Sequence, residues 1–157
     1  MRKGYIIAGR IAAPLFFVGL IVYSFITKRQ RVRVLVTDEK HRILLVRGVI
    51  SSGDWTLPGG GLERGESAVD AAQREVFEEV GIKLTKSSLK YLRTLKRPEI
   101  KSHYDAPLYR ASISKTEASG IKIDQYEIRD ARWFTLSDLP INLSNEAAVA
   151  LSPTSSK

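Results

Sequence analysis

Residues 58–82 read Pro58-Gly59-Gly60-Gly61-Leu62-Glu63-Arg64-Gly65-Glu66-Ser67-Ala68-Val69-Asp70-Ala71-Ala72-Gln73-Arg74-Glu75-Val76-Phe77-Glu78-Glu79-Val80-Gly81-Ile82. Ser67, with Asp70 three places on, predicts a helix N-terminus. Ala68, Ala71, Ala72, Val76 and Val80 recur at helical spacing as one apolar side, and Gly81 is placed to stop the helix. Glu75, Glu78 and Glu79 then stand at i, i+3 and i+4, so their carboxylates gather on one face. Like charges so placed repel. A solvated acidic face is the ordinary reading of such a pattern. A hard divalent cation would remove the repulsion, and Mg²⁺ favours carboxylates together with phosphate oxygens and water. Such an array suits metal-assisted displacement at phosphorus.

Gly60, Glu66, Arg74, Glu75, Val76, Glu78, Glu79, Gly81 and Ile82 fill every defined position of a longer pattern: Gly, five residues, Glu, seven residues, then Arg-Glu-apolar-any-Glu-Glu-any-Gly-apolar. This resembles the signature of the Nudix hydrolase family, and a chance match over so many fixed positions is negligible. Trp55 to Gly60 before the box, and Ala131 to Phe134 with Asp138-Leu139-Pro140 after it, are similar to flanks of such domains, so the resemblance covers about residues 31–140.

The resemblance implies an α/β/α sandwich around a mixed sheet. It also implies a pyrophosphohydrolase of nucleoside diphosphate derivatives (NTP or dNTP, ADP-ribose, or nucleotide sugar). The cofactor would be Mg²⁺, with Mn²⁺ as a substitute, held by Glu75, Glu78, Glu79 and the Gly60 carbonyl. Glu66 and Arg74 would pair to fix loop to helix. A further acid from a late loop would act as metal ligand or general base; Glu127 is chosen over Asp124, Glu117 and Glu99. Pro98, sixteen residues after Ile82, is similar to a marker of ADP-ribose pyrophosphatases, but a lone proline can end any strand. Removal of pyrophosphate from RNA ends stays open.

Outward from the box, Arg31–Thr37 and Arg42–Arg47 read as strands joined by a polar turn, with Trp55–Leu57 a short third strand. Leu89–Leu95, Ala106–Ile113 and Ala131–Phe134 read as further strands. Glu146–Leu151 reads as a closing helix capped by Ser144 or Asn145. Arg47, at a strand end, is either a substrate-phosphate ligand or simply exposed. Tyr104 and Tyr109 could stack on a base, although strand tyrosines more often pack in cores. His41 and His103 are assigned no role.

The chain has 157 residues and no cysteine, which excludes a thiolate metal site or a cysteine nucleophile. Its net charge of +8 is not spread evenly. Residues 1–33 carry seven bases and no acid, leaving 18 bases against 17 acids elsewhere. No specific nucleic-acid binding is therefore expected of the folded part, whose charge is nearly balanced.

Tyr5 to Ile26 is apolar apart from Arg10 and Ser24. As a helix it would extend about 33 Å, enough to cross a bilayer core. The expected organisation is a membrane anchor over 1–28, a catalytic domain over 29–152 and a frayed tail over 153–157. A cleaved signal peptide is the competing reading of the first segment. The cluster Lys28, Arg29, Arg31 and Arg33 favours a single-pass topology with the catalytic domain cytoplasmic and lipid as a partner. A nucleotide-sensing module on the same tether is the alternative to an enzyme.

Overall fold

The computed structural model describes residues 30–96 and 105–152. Alternation of branched apolar residues makes β1 (Arg33–Thr37) and β2 (Ile43–Gly48) an antiparallel pair. Their turn is held by the Asp38 carboxylate, which accepts the backbone N–H groups of Lys40 and Arg42 at 3.0 and 2.8 Å. After α1 (Ala68–Val80) come β3 (Lys90–Leu95) and β4 (Ala106–Ser112). The chain ends in α2 (Lys115–Ser119), β5 (Ile128–Phe134) and α3 (Asn145–Leu151). The sheet order is β3-β4-β1-β2-β5, with β1 and β4 parallel and the other neighbours antiparallel.

The two faces of this mixed sheet are covered by different helices. Val34, Val36, Leu44 and Val46 face α1 through Ala71, Ala72, Val76 and Val80. Ile43, Leu45 and Leu108, from the opposite face, pack with Trp55, Leu57 and the α3 residues Ala147 and Ala150. The helix carrying the acidic run forms because its apolar side outweighs its charges. A like-charge pair one turn apart costs about 0.2–0.5 kcal/mol, whereas burying one valine contributes about 1.5–3 kcal/mol. The Ser67 side chain accepts the Asp70 N–H at 3.2 Å, and Gly81 closes the helix.

The expected strand Trp55–Leu57 forms only isolated bridges, Thr56 with Val46 and Trp55 with Leu143. Pro58 has no N–H to extend it, and the chain turns there to run back beside β1. β5 begins three residues earlier than expected, and the small helix α2 was not anticipated. Among the described residues no helix is long and apolar enough to cross a membrane. The expected anchor, Pro98, Glu99, His103, Tyr104 and the tail lie outside the described residues.

Candidate active site

Beyond Pro58 the backbone runs along β1: Val34 N–H donates to Pro58 O and Val32 N–H to Gly60 O, both at 2.9 Å. This brings the glycine bend against the acidic side of α1. A Cβ on Gly60 would collide with the Glu75 carboxylate, so the backbone and that side chain share one tight cradle. The Gly59 N–H donates to Glu79 Oε2 at 2.9 Å. Glu75 and Glu79 are each 9% exposed, whereas the Glu78 side chain is 48% exposed and reaches solvent.

Arg74 organises the rest. It donates to both oxygens of Glu66, to Glu75 Oε1, to Glu78 Oε2 and to the Gly61 carbonyl, each at 2.9 Å. The Glu66–Arg74 pair implied by the resemblance is therefore formed, and it ties the loop to the helix. The Arg74 hydrogen bond holds the Glu66 carboxyl below its ordinary range. The same guanidinium gathers Glu75 and Glu78 toward one another.

Burial acts in the opposite direction on the inner carboxylates. It raises the Glu75 pKa against the pull of Arg74. It pushes Glu79 up to about 8, partly offset by the Gly59 N–H and the nearby Arg33. Glu127 is raised first by burial, then by Asp124 and Glu78, and its charge acts in turn on Glu75 and Glu79. Glu127 itself is exposed, in the loop before β5.

Its rivals have other duties. The Asp124 carboxylate accepts the Tyr126 N–H at 2.8 Å within its own turn, and Glu117 accepts the Ser114 N–H and hydroxyl at 2.8 and 2.6 Å to cap α2. Arg47 pairs with Asp130 at 2.8 Å and lies 4.6 Å over the Trp55 ring. Tyr109 packs at the core edge and meets Tyr91 edge to face. Arg33, which the sequence offered only as a basic residue of a strand and flank, is buried beside the bend.

A hard cation fits these donors. Buried carboxylates and a backbone cradle with no room for a side chain are the chemistry such an ion needs. Among the described residues, however, no three acidic or histidine groups already close round one point. Arg74 spans Glu75 and Glu78 instead.

The raised Glu79 pKa has a consequence for stability. An unfolded glutamate titrates near 4.5, so between about 4.5 and about 8 the metal-free folded state keeps a proton that the unfolded chain has lost. Stability must then fall as pH rises through that window. Melting curves in chelator should shift downward from pH 5 to pH 8.5, and Glu79→Gln should flatten the decline. An equal decline in the variant would contradict this assignment.

A Nudix domain profile matches residues 27–152. The RNA pyrophosphohydrolase of Ruthia magnifica subsp. Calyptogena magnifica is 31% identical over 108 residues, covering 69% of this chain and 53% of that protein. The NAD-capped RNA hydrolase NudC of Vibrio vulnificus (strain CMCP6) is 31% identical over 107 residues, covering 68% of this chain and 38% of that protein. The chain thus spans about half or less of these relatives' length. A MutT Nudix hydrolase structure from Burkholderia pseudomallei superposes with a TM-score of 0.67 at 27% identity, covering 78% of this chain and 95% of the other. With its complete box placed on α1 and the glycine bend, the chain belongs to the Nudix hydrolase family.

Proposed function

We propose that this chain hydrolyses the diphosphate linkage of a nucleoside diphosphate derivative: an NTP or dNTP, ADP-ribose, or a nucleotide sugar. The observation that carries the reading is the placement of Glu75 and Glu79 against the glycine bend, with Glu78 held at its rim by Arg74. Mg²⁺, or Mn²⁺ in its place, would be held by Glu75, Glu78, Glu79 and the second lone pair of the Gly60 carbonyl. Bound there, it would neutralise non-bridging phosphate oxygens and lower the pKa of the attacking water.

The protein's own groups then have separate tasks. Glu79 is aimed by the Gly59 N–H, and Glu75 by Arg74. Glu127, whose proton affinity burial has raised, takes the proton of the attacking water. Arg47 contacts a substrate phosphate by exchanging its Asp130 partner. The two RNA-processing relatives, an RNA pyrophosphohydrolase and an NAD-capped RNA hydrolase, add RNA ends bearing a pyrophosphate and NAD-capped RNA to the substrates worth testing.

The test is a metal-dependent screen of the full chain over dNTPs, ADP-ribose, nucleotide sugars and both RNA ends. At least one class should be cleaved, with activity lost in chelator and restored by Mg²⁺ or Mn²⁺. Tight nucleotide binding without product at saturating Mg²⁺ would mean a sensing module instead.

We also propose that residues 5–26 anchor the protein as a single pass, with the domain of residues 29–152 on the cytoplasmic side. The length of the apolar run and its basic flank support this. The full chain should fractionate with membranes, and a chain lacking residues 1–27 should not. Co-fractionation of both would contradict it.

A further inference from the structure

Arg33 and Glu146 form a buried ion pair joining β1 to the first turn of α3, Nε to Oε2 at 2.8 Å, with each residue 6% exposed. Such a pair is costly to desolvate, and apolar residues of similar size usually hold a core at least as well. Stability alone does not account for it.

Its geometry offers a specific task. The other arm of Arg33, Nη1, donates to the Gly59 carbonyl. The Gly59 N–H in turn donates to Glu79. The two peptide groups flanking Gly59 are thus clamped from both ends, by a buried cation on the oxygen side and a buried carboxyl on the nitrogen side. The relay runs from Glu146 to Arg33, through the bend, to Glu79.

We propose that Arg33, oriented by Glu146, is a positioning residue that fixes the Gly59 bend so that its N–H aims Glu79 into the metal site. α3, which contributes no carboxylate to the acidic array, thereby helps to set that array's geometry. This rests on the divalent-cation reading above. Groups that orient a metal ligand without touching the metal typically change its affinity by about 10–100-fold.

The test uses the full chain with Arg33→Met, which keeps the length and apolar stem, and Glu146→Gln, which keeps a hydrogen-bond acceptor but removes the charge. Two readouts are needed. In metal-free protein, exchange of the Gly59 amide should quicken in Arg33→Met relative to the buried amide of Ile113, which donates to Thr37 O at 2.9 Å away from the bend. In Mn²⁺ titrations of the folded protein followed by electron paramagnetic resonance, affinity should fall by about 10-fold or more, in addition to the drop in melting temperature that an unpaired buried Glu146 brings. Glu146→Gln should shift both readouts in the same direction by less, and it carries the test if Arg33→Met does not fold. A folded Arg33→Met with unchanged Gly59 exchange and unchanged Mn²⁺ affinity overturns the proposal, as does a variant that loses only stability. If the wild type itself binds no Mn²⁺, the cation reading fails, while Gly59 exchange still reports on the clamp.

Discussion

Glu79→Gln is expected to lower turnover at saturating Mg²⁺ by about 100-fold or more while leaving the metal-free fold as stable as before, or more so near pH 8. Both halves follow from one environment. The side chain is buried and favours its neutral form, so an amide of the same shape removes a charge that the fold does not want. Its oxygen can still accept the Gly59 N–H. Loss of groups that only orient metal ligands costs about 10–100-fold, so loss of a direct ligand should cost at least as much. Glu78→Gln should give a similar kinetic loss for a different reason. Its side chain is about half exposed and, among the described residues, bonded to Arg74, so its stability effect should be within about 0.5 kcal/mol. Steady-state kinetics beside thermal melts decide the matter. Turnover unchanged in both variants would remove the mechanism.

Gly59→Ala should be the most destabilising single substitution in the bend, by about 2–5 kcal/mol. Gly59 has φ +130, a conformation that side chains rarely adopt, and an added Cβ would collide with the Val32 carbonyl. That carbonyl belongs to the backbone beside β1, so it cannot swing aside as a surface side chain would. Relief requires the bend to lift away from β1, which would also break the Val32 to Gly60 and Val34 to Pro58 hydrogen bonds. The expected melting temperature falls by about 10 °C or more. In whatever fraction stays folded, Mn²⁺ affinity should fall too, because the Gly59 N–H no longer meets Glu79. A variant that melts like the wild type would show that the bend is not held as described.

The acidic helix α1 was readable because all its determinants are local. Ser67, the apolar spacing through Val80, and Gly81 lie within fifteen residues, and the structure reproduces the cap at each end. That Glu75, Glu78 and Glu79 share one side followed from that helix, whereas the burial of Glu75 and Glu79 against the exposure of Glu78 did not. The sheet order was not readable in the same way. β4 lies parallel beside β1 although some seventy residues separate them, and no short-range pattern encodes that pairing. Arg33 shows the same limit at a single side chain. In the run Arg31-Val32-Arg33-Val34 it resembles an outward-facing strand residue, and only Glu146, 113 positions later, makes its burial tolerable. Arg47 likewise finds Asp130 83 positions away. The small helix α2 is different, because its signal was present in the sequence. Ser114 and Glu117 form a capping box, but five residues carry too little periodicity to draw attention to it.

Crystals of the full chain or of its folded domain soaked in Mn²⁺ offer the most direct decision, read from anomalous scattering at the manganese edge. A peak is expected between α1 and the glycine bend, with oxygens of Glu75, Glu78 and Glu79 at roughly 2.1 Å and the Arg74 to Glu78 contact released. Crystals that bind no manganese there, with Arg74 still bridging Glu75 and Glu78, would contradict a metal-dependent hydrolase built on these carboxylates.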